Sequence, residues 1–225
     1  MKRIVLFIVE GPNDKKALEL ALQRLLDKEA KAVMFETSSG DITSDFNSTD
    51  VMSELEKRCG NYGYEAEDIQ EIVVLLDMDG AFVDNSAVIE DPTAVKARYE
   101  ENQILHMDPK AIMQRNALKR ERLRKLTELS TVPYKGKPVP FSVYFFSCNL
   151  DHVICNSANN TKTKKSVEAA AFRREYATDP AGFLRFFRKG EIAVGTSYPD
   201  SWLYIKQGLN SLRRGSNFHV YLQDL

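Results

Sequence analysis

The chain has 225 residues, 43% of them hydrophobic and 28% charged, with a formal net charge of −1. That composition excludes a disordered or low-complexity protein, and no apolar run approaches the ~20 residues of a membrane helix, which excludes a membrane-spanning reading. Three scattered cysteines, Cys59, Cys148 and Cys155, exclude a disulfide scaffold and point to a reducing, cytoplasmic setting.

Ile4 to Val9 is a continuous apolar run, the pattern of a strand buried on both faces rather than of a secretion signal. Gly11-Pro12-Asn13 makes a turn, with Asn13 as the expected N-cap of a helix carrying Ala17, Leu18, Ala21, Leu22, Leu25 and Leu26 at helical spacing. A second strand is expected over 31–35, a polar loop over 37–41 and a short helix over 51–58. Ile72 to Leu76 is another fully apolar strand, running into Asp77-Met78-Asp79-Gly80. Asp108-Pro109 opens a long basic helix expected over about 108–129, because Asp caps and Pro fits the first turn. Phe141 to Phe146 reads as a further buried strand. The remainder reads as mostly helical: Asp179-Pro180 repeats the start signal, and Gly215 is expected to end the last helix. The strand–helix alternation predicts an α/β fold with a mostly parallel sheet flanked by helices. A core over 1–157 would carry a basic, mostly helical C-terminal extension over 158–225.

Charge divides unevenly along the chain. Residues 1–109 hold 11 Lys and Arg against 23 Asp and Glu, while residues 110–225 hold 20 against 9. Either the acidic half binds metal and the basic half a polyanion, or the two halves attract each other and pack.

The acids fall where chemistry is expected. Glu10 ends one buried strand and Asp77 and Asp79 end another, and ligands of open parallel sheets bind at the carboxyl ends of strands. Asp14 lies four residues after Glu10, in the first helical turn, where a carboxylate also favours the positive helix end. Clustered acids repel unless a divalent cation joins them, and carboxylate oxygens suit Mg²⁺.

An apolar strand, Glu10-Gly11-Pro12-Asn13-Asp14, a helix, and then an apolar strand ending in Asp77-Met78-Asp79-Gly80 together resemble the Toprim domain of topoisomerases, primases and OLD-type nucleases. The resemblance covers roughly residues 3–85, and reaches about 155 if Phe141–Phe146 is the fourth strand. With no room for topoisomerase strand-passage domains in 225 residues, the chain looks more like small stand-alone members near the OLD and RloB groups. The resemblance implies a Toprim-like sheet, Mg²⁺ or Mn²⁺ held by Glu10, Asp14, Asp77 and Asp79, and Glu10 as general acid/base. It further implies cleavage of DNA or RNA, and a role in phage defence beside an ATPase. That ATPase would be a separate chain, since no Gly-x-x-x-x-Gly-Lys-Ser/Thr loop occurs. A homo-oligomer is compatible with the sequence. Where such proteins often carry Ser-Asn-Pro-x-Phe-Glu, this chain reads Ser147-Cys148-Asn149-Leu150-Asp151-His152 and lacks the Pro.

Asp77-Met78-Asp79-Gly80 also resembles the first motif of haloacid-dehalogenase-type phosphatases, with Asp77 as nucleophile, Asp79 as general acid, Ser147 in the second motif, and Lys162 or Lys165 in the third. Ala81 stands where that family has Thr, and Glu10 is left unexplained. A third reading is a non-catalytic nucleic-acid-binding subunit. Arg115, Lys119 and Arg122 share a face of the basic helix and, with Lys162, Lys164 and Lys165, are candidates for phosphate contact. The resemblance to OLD-type enzymes further implies a transition-state lysine near the metals, for which Lys162, Lys164, Lys165 and Lys135 are all candidates. Asp151 and His152 follow a strand at the same sheet edge and are further candidates. Phe172, Tyr176, Phe183, Phe186 and Phe187 read as core rather than as base-stacking platforms.

Overall fold

The computed structural model describes residues 3–27, 31–37 and 63–225; most of the expected loop over 37–41, the helix over 51–58 and Cys59 lie outside them. The first strand, β1 (Arg3–Val9), is buried from Ile4 onward. Helix α1 (Pro12–Asp27) follows and buries its predicted apolar stripe. Asn13 lies inside that helix rather than capping it: Pro12, with no N–H to satisfy, takes the first helical position. Strand β2 (Lys31–Thr37) pairs parallel with β1, and β3 (Ile69–Asp77) pairs with β1 on its other side, again parallel.

Past Asp77 the chain leaves the main sheet and forms a small one from β4 (Val88–Glu90), β5 (Arg98–Tyr99) and β6 (Ile104–His106). Helix α2 (Pro109–Thr127) then starts as the sequence dictates, with the Asp108 carboxylate accepting the Ala111 N–H at 3.2 Å. Strands β7 (Thr131–Tyr134) and β8 (Lys137–Ser147) form an antiparallel hairpin. The second half of β8 runs parallel to β3, giving the order β2-β1-β3-β8-β7.

The helices α3 (Leu150–Cys155), α4 (Lys162–Tyr176), α5 (Pro180–Phe187), α6 (Tyr198–Ile205) and α7 (Phe218–Tyr221) follow. Gly215 does not end a helix. It opens β9 (Gly215–Ser216), which pairs antiparallel with the end of β8. No helix among the described residues is long and apolar enough to cross a membrane.

The sheet is covered on both faces because its central strands alternate between two cores. Val5, Phe7, Val9, Val73 and Leu75 face α1, α4, α5 and α7, while Leu6, Ile8, Val74 and Leu76 face α2 and α6. The first core also holds Phe172, Tyr176, Phe183, Phe186 and Phe187, so the predicted aromatics are buried and one core continues across position 157. Each large aromatic buried there contributes roughly 1.5–3 kcal/mol by transfer alone.

Candidate functional site

The parallel pairing brings the ends of β1, β3 and β8 to one edge. Val9 stands opposite Leu75 and Asp77 opposite Phe146, so Glu10 and Asp77 emerge side by side. The Asp77 N–H donates to Glu10 Oε1 at 3.2 Å. Asp77 Oδ1 in turn accepts the Leu150 N–H at the start of α3, 2.9 Å away. Asp14 reaches back one turn and accepts the Gly11 N–H at 2.8 Å. Glu10, Asp14 and Asp77 are thus fixed by backbone donors before any ligand arrives.

The Asp-Met-Asp-Gly segment turns sharply. Asp79 and Gly80 both adopt left-handed conformations, with φ of 51° and 68°. At Gly80 the positive φ favours glycine, and a Cβ there would also press on the terminal methyls of Ile104 and Leu212, at 2.7 and 2.8 Å. The Asp79 N–H donates to the Cys148 carbonyl at 2.7 Å, locking the turn to the end of β8.

Asp79 is the most heavily engaged of the acids. Lys119 Nζ lies 2.8 Å from its Oδ2 and 3.7 Å from Glu10 Oε1. The Tyr99 hydroxyl donates to Asp79 Oδ1 at 3.0 Å. Arg115 donates to both the Tyr99 oxygen, at 3.1 Å, and the Asp79 carbonyl, at 2.7 Å. Lys119, expected on a phosphate-tracking surface, is instead 1% exposed and forms the back wall of the acid site. Arg115 is likewise turned onto this network. Arg122 is half-buried on the same helix, and the exposed Arg124 and Lys125 pair within it with Glu128 and Glu121.

The electrostatics divide the acids into two kinds. Burial raises the Asp79 carboxyl, but Lys119 and Arg115 outweigh it and hold the group below the usual carboxylate range. Asp77 goes the other way: burial, then the charges of Glu10, Asp14 and Asp79, push it well above that range. Burial lifts Asp14 to about 6, against the Gly11 hydrogen bond and Lys165. Burial and Asp79 push the Tyr99 phenol well up, keeping it a donor. The Cys148 thiol is also pushed well up, chiefly by burial, and stays neutral.

A cavity of about 470 Å³ opens beside Asp77 and Asp79, and Asn149, Lys96, Lys162 and Lys165 also line it. Lys165 pairs with Asp151 at 2.8 Å. Burial lowers the Lys165 ammonium, but the hydrogen bond to Asp151 and the charges of Asp151, Asp77 and Asp14 together outweigh it, so it stays a cation. Lys164 is exposed near the start of α4, and Lys135 pairs with Glu65 at the β7–β8 turn. His152 is half-buried and lines a second cavity.

Of the residues singled out from the sequence, the structure brings Glu10, Asp77 and Asp79 together with Lys119 and Arg115, and places Lys165 on the adjoining cavity; Tyr99, which was not singled out from the sequence, joins them through Asp79. Tyr99 sits on a two-residue strand with no periodicity to mark it. Among the described residues no three of His, Cys, Asp and Glu converge as a ready-made metal cage. The donor chemistry nevertheless suits Mg²⁺, which takes one or two carboxylates and fills its shell with water and phosphate oxygens.

No protein-family model matches the chain, and neither a curated protein nor a solved structure is found to be similar to it.

Proposed function

We propose that the chain is a Mg²⁺- or Mn²⁺-dependent nuclease of the Toprim type, hydrolysing phosphodiester bonds of DNA or RNA. The observation that carries this reading is the emergence of Glu10 and Asp77 side by side at the ends of adjacent parallel strands, beside a cavity lined by Asp77, Asp79, Lys96, Lys162 and Lys165. Asp77 and Asp14 would hold the cation. When bound, it offsets the clustered negative charge and draws electron density from the scissile phosphate. Glu10, anchored on the Asp77 N–H, moves the proton between attacking water and leaving oxygen. Lys165 and Lys162 draw the phosphate into the cavity, with Lys165 held in place by Asp151. Lys119 and Tyr99 keep Asp79 ionised and fixed.

Ser147 weighs against the phosphatase alternative. Ser147 is 1% exposed and its hydroxyl donates to the Asn210 carbonyl at 2.7 Å, so its proton is not free for a bound phosphate. By the resemblance to OLD-type systems, the proposal extends to partnership with a separate ATPase in phage defence.

The test is incubation of plasmid, linear DNA and tRNA with Mg²⁺, Mn²⁺ or EDTA, alongside a generic phosphomonoester, using wild type, Glu10→Ala and Asp77→Ala. The reading expects metal-dependent nucleic-acid cleavage that both substitutions reduce by at least about a thousandfold. Phosphomonoester turnover lost with Asp77→Ala but kept with Glu10→Ala would replace it with the phosphatase.

A further inference from the structure

Helix α4 starts at the first cavity and runs along α1, and a groove of about 540 Å³ lies between the two helices. It is lined by Lys16 of α1 and by Ser166, Val167, Ala170, Arg173 and Arg174 of α4. Three of those side chains are cations and none is an acid, whereas the first cavity mixes Asp77 and Asp79 with its lysines. The acids of the two helices lie outside the groove. Asp14 accepts the Gly11 N–H, Glu19 pairs with Lys15 at 3.8 Å, and Asp27, Glu168 and Glu175 do not line it.

The cations are held in an order. Lys16 Nζ donates to the Ser166 carbonyl at 3.0 Å and to the Ser166 hydroxyl at 3.1 Å. Two of its three donors thus fix the ammonium against α4. Arg173 and Arg174 stand one turn beyond Ala170, both exposed, and among the described residues no acid pairs with either. The groove also continues from the first cavity. Lys165, which lines that cavity, directly precedes Ser166, and Lys16 lies two residues after Asp14. From Lys165 to Arg174 the helix advances about 13 Å, the axial span of about four nucleotides of one strand. Guanidinium and ammonium groups in a row, without acids between them, fit the phosphates of such a strand.

We propose that this groove carries the phosphate backbone of the nucleic-acid strand beyond the scissile bond, with Lys16, Arg173 and Arg174 contacting phosphates without reading bases. The proposal rests on the nuclease reading for the identity of the polyanion and extends it to three residues outside the acid site. Contacts of this kind add affinity that is independent of sequence and falls steeply with salt.

The test is fluorescence anisotropy of a labelled strand of about 20 nucleotides and of its duplex, in EDTA so that no cleavage intervenes, with salt varied from about 50 to about 200 mM. Wild type is compared with Arg173→Gln/Arg174→Gln and Lys16→Gln. A control of equal charge, Arg124→Gln/Lys125→Gln, lies on α2, which packs on the other face of the sheet. The slope of log affinity against log salt is expected to fall by about two in the arginine pair and by about one in Lys16→Gln, alike for every sequence. Affinity at the lowest salt is expected to fall about tenfold in the arginine pair, and the control to keep the wild-type slope. Both arginines are exposed, so their variant carries the test if Lys16→Gln loosens the helix contact. An unchanged slope in the arginine pair would overturn the proposal, as would an equal loss in the control, which would report net charge alone. Displacement of the strand by poly-glutamate as readily as by unlabelled DNA would replace it with an acidic protein partner. Slope loss in a protein that cleaves nothing with Mg²⁺ or Mn²⁺ would sink the nuclease reading and leave the groove standing; cleavage with the same KM in wild type and the arginine pair would do the reverse.

Discussion

Lys119 is the residue on which the site turns. An ammonium that is 1% exposed is tolerated because Asp79 and Glu10 lie against it. Lys119→Met is expected to destabilise the protein by about 3–5 kcal/mol, since it leaves buried carboxylates uncompensated. The double variant Lys119→Met/Asp79→Asn is expected to recover a large part of that loss in chemical denaturation. A double variant no more stable than the single one would show that the pair is not the source of the cost. His152 gives a pH signature. Burial, reinforced by Arg214, lowers its ring below the ordinary value of 6.5. The unfolded chain then takes up the proton first, so this group's contribution to stability is lost as pH falls below about 6.5. The stability gap between wild type and His152→Asn is expected to shrink from pH 7 to pH 5; a gap independent of pH would place the ring in solvent. Glu10, Asp77 and Asp79 were legible in the sequence because they stand at the ends of unbroken apolar strands. The task of Lys119 was not, because seven basic residues between Lys110 and Lys125 look alike until the helix is docked.

Among the elements, the strands that position the site were readable from their apolar runs, and α2 and α5 from their Asp-Pro starts. The small sheet of β4, β5 and β6 was not, since strands of two or three residues carry no period. Gly215 misled for a related reason: glycine marks a helix end or a tight strand entry equally well, and here the pairing with β8 decided. That pairing also puts α5 and α7 against the main core, where Phe187 and Phe218 lie 5.2 Å apart edge to face. Phe187→Ala is expected to cost about 3–5 kcal/mol. Because the core is continuous, the loss should appear as one cooperative transition monitored by both circular dichroism and Trp202 fluorescence. Two separate transitions would mean that residues beyond 157 fold as an independent unit.

For the whole molecule, the charge asymmetry of the sequence resolves into contact between its halves. Arg115, Lys119 and Arg120 of the basic half dock on Asp79 and the carbonyls of Asp79 and Ala81 in the acidic half. What lines the first cavity is the remaining balance: Asp77, pushed well above the usual carboxylate range by burial and then by the neighbouring acids, with Asp79, Lys96, Lys162 and Lys165. The most direct measurement of the central claim is Mn²⁺ titration by calorimetry of wild type and Asp77→Asn, because it needs neither a substrate nor an activating partner. The account predicts saturable Mn²⁺ binding by wild type and at least a tenfold weaker affinity in a folded Asp77→Asn protein. Equal affinity in the two proteins, or no binding by wild type at millimolar Mn²⁺, would contradict it.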